Sequence, residues 1–203
     1  MSFFSEASHR FLPIPEDGRI DTEPFLDAAS QVVPFFDVLG PTAFAPVKSD
    51  INGNIKKLRE KYAQDLEKFK TLQDLVESEM QAGTTLEKNS ATDALLWLKR
   101  ALQFIIVFLE EVLTGEEDLV KCAKKAYEYS LKKFHGWIVQ GIFSVAMKAV
   151  PYRKDFMNKL GRGKVDEQTV LKEMKDCVDL LSANISVVEE FYQKNNLDKA
   201  NKV

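Results

Sequence analysis

The stretch SDINGNIKKL, Ser49 to Leu58, places an acid, an amide and two lysines on one predicted helix. Val47, Ile51, Ile55, Leu58 and Tyr62 recur at helical spacing and form an apolar face. Asp50, Asn54 and Lys57 fall within about 60° of one another on the adjoining stripe. A carboxylate only accepts hydrogen bonds, an ammonium only donates, and an amide does both, so the stripe can serve a ligand rich in hydroxyls. A solvated network on a helix surface has the same spacing, and the residues alone do not separate the two. Gly53 costs the helix about 1 kcal/mol relative to alanine, which suggests close approach of a backbone or a ligand at that point.

Two further groups carry chemistry. Trp97 lies near the start of a segment, Leu95 to Leu113, with apolar residues on every face, which also carries Lys99 and Arg100 near its start. Such a helix belongs at the centre of a fold. An indole there is ordinarily core or interface, and its face is also a platform for a sugar ring. His135, in KKFHGWIVQ, has no second histidine, carboxylate pair or cysteine spacing around it. A structural histidine is the expectation, with no metal, no cofactor and no catalytic site.

Composition narrows the function classes. The 203 residues include 28 basic and 31 acidic side chains, a net charge of −3, with the lysines interspersed among acids. That is no electrostatic footprint for nucleic acid. Cys122 and Cys177 lack the pairing of a redox or zinc motif, and the chain does not begin with a charged end and an apolar run. A reduced, cytoplasmic location is therefore expected. The longest apolar run, ALQFIIVFL, is nine residues and contains Gln103, where a membrane span needs about 20.

These groups require long helices to position them. Six of the seven prolines precede residue 47, so most of the chain is free of helix breakers. The pattern predicts helices from Asp21 or Thr22 to Gly40, Pro46 to Gln64, Lys68 to Gln81 and Asn89 or Ser90 to Gly115. Others follow over Glu116 to Phe134, His135 to Val150, Tyr152 to Leu160 and Asp166 to Asn195. No alternating strand pattern, repeat or linker competes, and residues 1–203 read as one all-α domain.

DINGNIKK, LLWLKRALQFI and KKFHGWIVQ, with PFFDVLGPTAFAPVKSD and VPYRKDF, resemble the glycolipid transfer protein family in order and spacing from about Ile20 to the last helix. The resemblance implies a two-layer fold of about eight helices around a hydrophobic, lipid-accepting tunnel, with a sugar site at its mouth. It implies a non-enzymatic carrier of a glycosphingolipid. Asp50, Asn54 and Lys57 would bind the first sugar, Trp97 would stack on it, and Asp50 and His135 would hold the ceramide amide. Phe36, Phe44, Phe104, Phe108, Leu131, Phe143 and Phe156 are candidates for lining the chain pocket. Trp137, with Tyr152 and Lys148, would dock reversibly on a membrane surface. Relatives that carry ceramide-1-phosphate replace the positions of Asn54 and Trp97 by cations, so a neutral headgroup is preferred over that alternative. A sensor or adaptor is a third reading, since VPFFDVL resembles a motif for an endoplasmic-reticulum receptor through Phe35 and Phe36. Asp93 stands where the family pattern has an apolar residue, and Asn201 where it has a C-terminal tyrosine.

Overall fold

The computed structural model describes residues 1–199, so Asn201 lies outside the described residues. The elements run α1 (Phe3–Glu6), α2 (Thr22–Val32), α3 (Phe35–Leu39), α4 (Ala45–Tyr62), α5 (Leu72–Ala82), α6 (Ala91–Leu113), α7 (Leu119–Ser130), a 3-10 turn (Lys132–Phe134), α8 (Trp137–Met147), α9 (Arg153–Leu160) and α10 (Glu167–Lys194). Eight of the described α-helices are eight residues or longer. One antiparallel bridge, Asp21 to Thr71, ties the starts of α2 and α5.

Local chemistry explains where the observed elements depart from those expected. Pro34, which lacks an amide proton and fixes φ, divides the first expected helix into α2 and α3. The third starts at Leu72 rather than Lys68, because Thr71 and Asp74 form a reciprocal capping box there. It stops at Gly83, whose left-handed φ of 73° suits glycine. Asp118 caps α7 by accepting from Val120 and Lys121, which moves that start inward from Glu116. Ser2 caps the short α1, an element outside the pattern read above. At Gly53 a Cβ would meet nothing within 4 Å. No part of the described protein crowds that position, so protein packing does not explain the glycine.

The centre of the fold is α6, which packs against α4, α5, α7 and α10. Charged side chains hold both of its ends. At the N-terminus the buried Glu79 carboxylate accepts from the amides of Ala91 and Thr92, at 2.8 and 2.9 Å, and from the Thr92 hydroxyl at 2.6 Å. At the C-terminus Arg153 donates to the carbonyls of Val112 and Glu116 at 2.9 and 3.1 Å. An anion at the first turn and a cation at the last both complement the helix dipole and satisfy groups the helix leaves open. The Tyr192 hydroxyl donates to the Thr92 carbonyl at 2.8 Å, joining α10 to the same end. Trp97 therefore projects from a helix fixed at both termini.

The Glu79 contact predicts that Glu79→Ala destabilises the fold by about 2 to 4 kcal/mol, from lost charge-assisted bonds and a lost cap. Glu79→Gln should retain part of that. Urea denaturation followed by circular dichroism checks both.

Candidate functional site

One turn separates Asp50 from Asn54 on α4, and the Asn54 amide donates to the Asp50 carboxylate at 3.2 Å. Asn54 is buried while Asp50 opens to solvent. Desolvation by the surrounding protein nonetheless raises the Asp50 pKa above the ordinary aspartate range. Lys57 pulls the other way, and the charge of Asp93 adds to the rise. The carboxylate is thus a strong acceptor, held in place and incompletely solvated.

The second wall comes from α6. Trp97 is half-buried and stacks in an offset, near-parallel manner on the His135 imidazole, with centroids 5.9 Å apart and planes 13° from parallel. The Arg100 guanidinium lies 4.8 Å from the Trp97 ring and also covers Phe134. Its Nη2 donates to Asp198 at 2.8 Å and to the Lys199 carbonyl at 2.5 Å, which ties the segment after α10 to the rear of the site.

The third wall follows the 3-10 turn, where the chain becomes extended at His135. Burial, aided by the positive charge of Arg100, lowers the His135 pKa to about 4, so the ring is neutral near pH 7. Its Nδ1 lies 3.0 Å from the Tyr127 hydroxyl, whose own pKa burial raises to about 12. The protonated hydroxyl donates to Nδ1, since the reverse arrangement would leave a buried hydroxyl proton without an acceptor. Nε2 then carries the ring proton and is the donor atom of the ring. Gln140 fixes the backbone by donating to the His135 carbonyl at 2.8 Å.

These walls enclose one open cleft of about 1100 Å³. Asp50, Asn54, Lys57, Trp97 and His135 all line it, as do Asp93 and, from the interior side, Leu131 and Phe143. The remaining candidate phenylalanines, Phe36, Phe44, Phe104, Phe108 and Phe156, are buried and pack ring against ring. Phe143 joins that cluster through Phe104, with centroids 6.5 Å apart. Phe35 joins it through Phe108, at 5.9 Å, and walls a second, largely apolar cleft of about 830 Å³ between the N-terminal segment, α2, α6 and α10. A continuous aromatic path therefore leads from the polar cleft to an apolar one.

Trp137, 83% exposed, and Tyr152, 84% exposed, stand apart from the cleft walls together with exposed Lys148. Tyr127 and Arg100, which set the state of His135, were not identified as site residues from the sequence. Tyr127 precedes His135 by eight residues on another element, and no spacing rule joins them.

The sequence profile described as Glycolipid transfer protein (GLTP) matches residues 20–162. Over 203 aligned residues the chain is 42% identical to a glycolipid transfer protein of Danio rerio, covering 96% of this chain and 97% of that one. A solved structure of FAPP2, described as selecting simple glycosphingolipids with the GLTP-fold, superposes with a TM-score of 0.92 at 37% identity, covering all of both chains. HET-C2, a fungal glycolipid transfer protein, superposes with a TM-score of 0.86 at 36% identity, over 95% of this chain and 97% of that one.

The lowered His135 pKa has a measurable consequence. Between about pH 6.5 and 4 the unfolded chain binds a proton at this histidine and the folded chain does not. Its contribution to stability is therefore fully present above pH 6.5 and is lost as pH falls through that window. Thermal melts at pH 7 and pH 5 should show a smaller loss for His135→Gln than for wild type, and the His135 ring resonances should titrate near 4.

Proposed function

The chain belongs to the glycolipid transfer protein family, and on that premise we propose that it carries a glycosphingolipid between membranes, with the sugar in the cleft and the ceramide chains among the phenylalanines. The observation that carries the reading is the convergence of Asp50, Asn54, Lys57, Trp97 and His135 on a single cleft whose inner side opens onto apolar rings. Asp50 accepts from a sugar hydroxyl and from the ceramide amide N–H. Asn54 and Lys57 complete the hydroxyl contacts, Trp97 supplies the apolar face under the ring, and His135 Nε2 donates to the ceramide carbonyl. Binding, not bond making, is what this donor set suits.

The hydrocarbon chains need a dry interior. Each buried methylene gains about 0.8 kcal/mol, and entry past Leu131 and Phe143 would part the packed rings toward Phe35. The rings touch edge to face or in offset stacks, contacts that a lipid chain can replace with others of similar kind.

Docking follows from the outer face of α8. Trp137, Ile138, Ile142 and Val145 are exposed apolar residues on that helix, and exposed Tyr152 follows it. Such a helix suits the headgroup boundary of a bilayer, with Lys148 beside anionic lipid. No helix among the described residues is long and apolar enough to cross a membrane, and peripheral contact from the cytoplasmic side is the arrangement that fits. The receptor reading draws no comparable support, because Phe35 and Phe36 are 1% and 0% exposed; a partner that grips both rings would first have to pull α3 out of the core.

Transfer of a fluorescent glycosylceramide between vesicles tests the headgroup assignment. Asp50→Val should lose roughly 10²-fold or more, the effect of removing charge-assisted bonds to two partners. Trp97→Ala should lose in the same direction, less than additively with Asp50→Val. Glu60→Val, on the exposed face of α4, should transfer at the wild-type rate. Wild-type transfer by a well-folded Asp50→Val protein would remove the site. Docking has its own measurement: Trp137→Ala should reduce partitioning to vesicles several-fold with helicity unchanged, and unchanged partitioning would place docking elsewhere.

A further inference from the structure

We propose that Asp93 is a specificity-determining residue whose charge makes the cleft discriminate against anionic headgroups in favour of uncharged sugars. The inference rests on the headgroup reading above and adds to it the charge class of the lipid selected. Asp93 lies in the first turn of α6, one turn before Trp97, and lines the cleft opposite the α4 stripe. Its backbone amide donates to the capping Ser90 hydroxyl at 3.1 Å. Its carboxylate has no hydrogen bond or ion pair among the described residues, which leaves it available to the cleft.

Among the described residues no cation pairs with it directly, although its charge acts on the nearby Arg100. Among the described residues Lys57 is the sole cation lining the cleft. Arg100 and Lys99 lie behind Trp97, where they share the single carboxylate of Asp198, at 2.8 and 3.3 Å. Lys88 lines the adjoining depression, which Asp93, Trp97 and Arg100 also border. With His135 neutral, the described residues lining the cleft place two carboxylates against one ammonium. Asp50 and Asp93 also act on each other, since the charge of Asp93 contributes to the raised Asp50 pKa. A sugar hydroxyl gains from a second acceptor beside the first, whereas a sulfate or phosphate meets repulsion that a single lysine does not offset. An acid in a first helical turn also favours the helix dipole, a role that would alter stability and leave lipid selection unchanged.

Two lipids that share one ceramide and one sugar separate these roles: galactosylceramide and its 3-O-sulfated form. Transfer of each from phosphatidylcholine vesicles is measured for wild type and Asp93→Asn, which keeps the side-chain shape and removes the charge. Any effect of the sulfate on the donor membrane is common to both proteins and cancels when their ratios are compared. At low ionic strength Asp93→Asn should raise the sulfated-to-unsulfated rate ratio roughly three- to tenfold. The difference should shrink at about 1 M salt, where the screening length is about 3 Å. Equal ratios in the two proteins, or a difference indifferent to salt, would overturn the role of Asp93. Wild type that moves neither lipid would instead overturn the headgroup reading.

Discussion

The hydrogen bond from Asn54 to Asp50 sets the terms for the rest of the molecule. A carboxylate at the border of an apolar interior is costly unless it is partnered. Here the partner is an amide one turn away on the same helix, which leaves acceptor capacity on Asp50 unspent. The charge can then sit at the mouth of an aromatic core without being neutralised by the protein itself. Lys57 tempers the field, Asp93 strengthens it, and the rigid placement of α4 against α6 keeps these groups facing Trp97 and His135.

A second tier of contacts keeps the opposite wall in a single protonation state. His135 is neutral because it is buried beside the cationic Arg100, and its tautomer follows from the Tyr127 hydroxyl. Arg100 is itself held by Asp198, beyond the end of α10. The chain segment that follows the last helix is thereby coupled to the electrostatics of a cleft built mainly from α4, α6 and the turn before α8. Polar and apolar groups are divided in space: the cleft gathers the charged and hydrogen-bonding side chains, and the aromatic rings lie behind it.

Much of this arrangement is legible in the sequence, and the remainder is not for identifiable reasons. The α4 stripe follows from a period of 3.6 residues, and the all-round apolarity of Leu95 to Leu113 announces a central helix. Pro34 shows that a strong local breaker overrides an otherwise continuous helical pattern. The Tyr127 to His135 pair and the Glu79 clamp on α6 depend on how separate elements meet, so no local spacing encodes them. The phenylalanines illustrate a different limit. A ring that lines a lipid path and a ring that fills a core have the same sequence signature, and their shared cluster reflects that. Gly53 is the residue whose sequence rationale found no counterpart, since nothing in the described protein approaches it.

The central claim is that one cleft selects a sugar headgroup while the interior takes up its ceramide. The most direct measurement is to incubate the protein with vesicles of mixed lipid composition, re-isolate it, and identify the bound lipid by mass spectrometry. The account predicts a glycosylceramide at about one molecule per chain, enriched far above its share in the vesicles. Recovery of phospholipid in its place, or of no lipid, would contradict it.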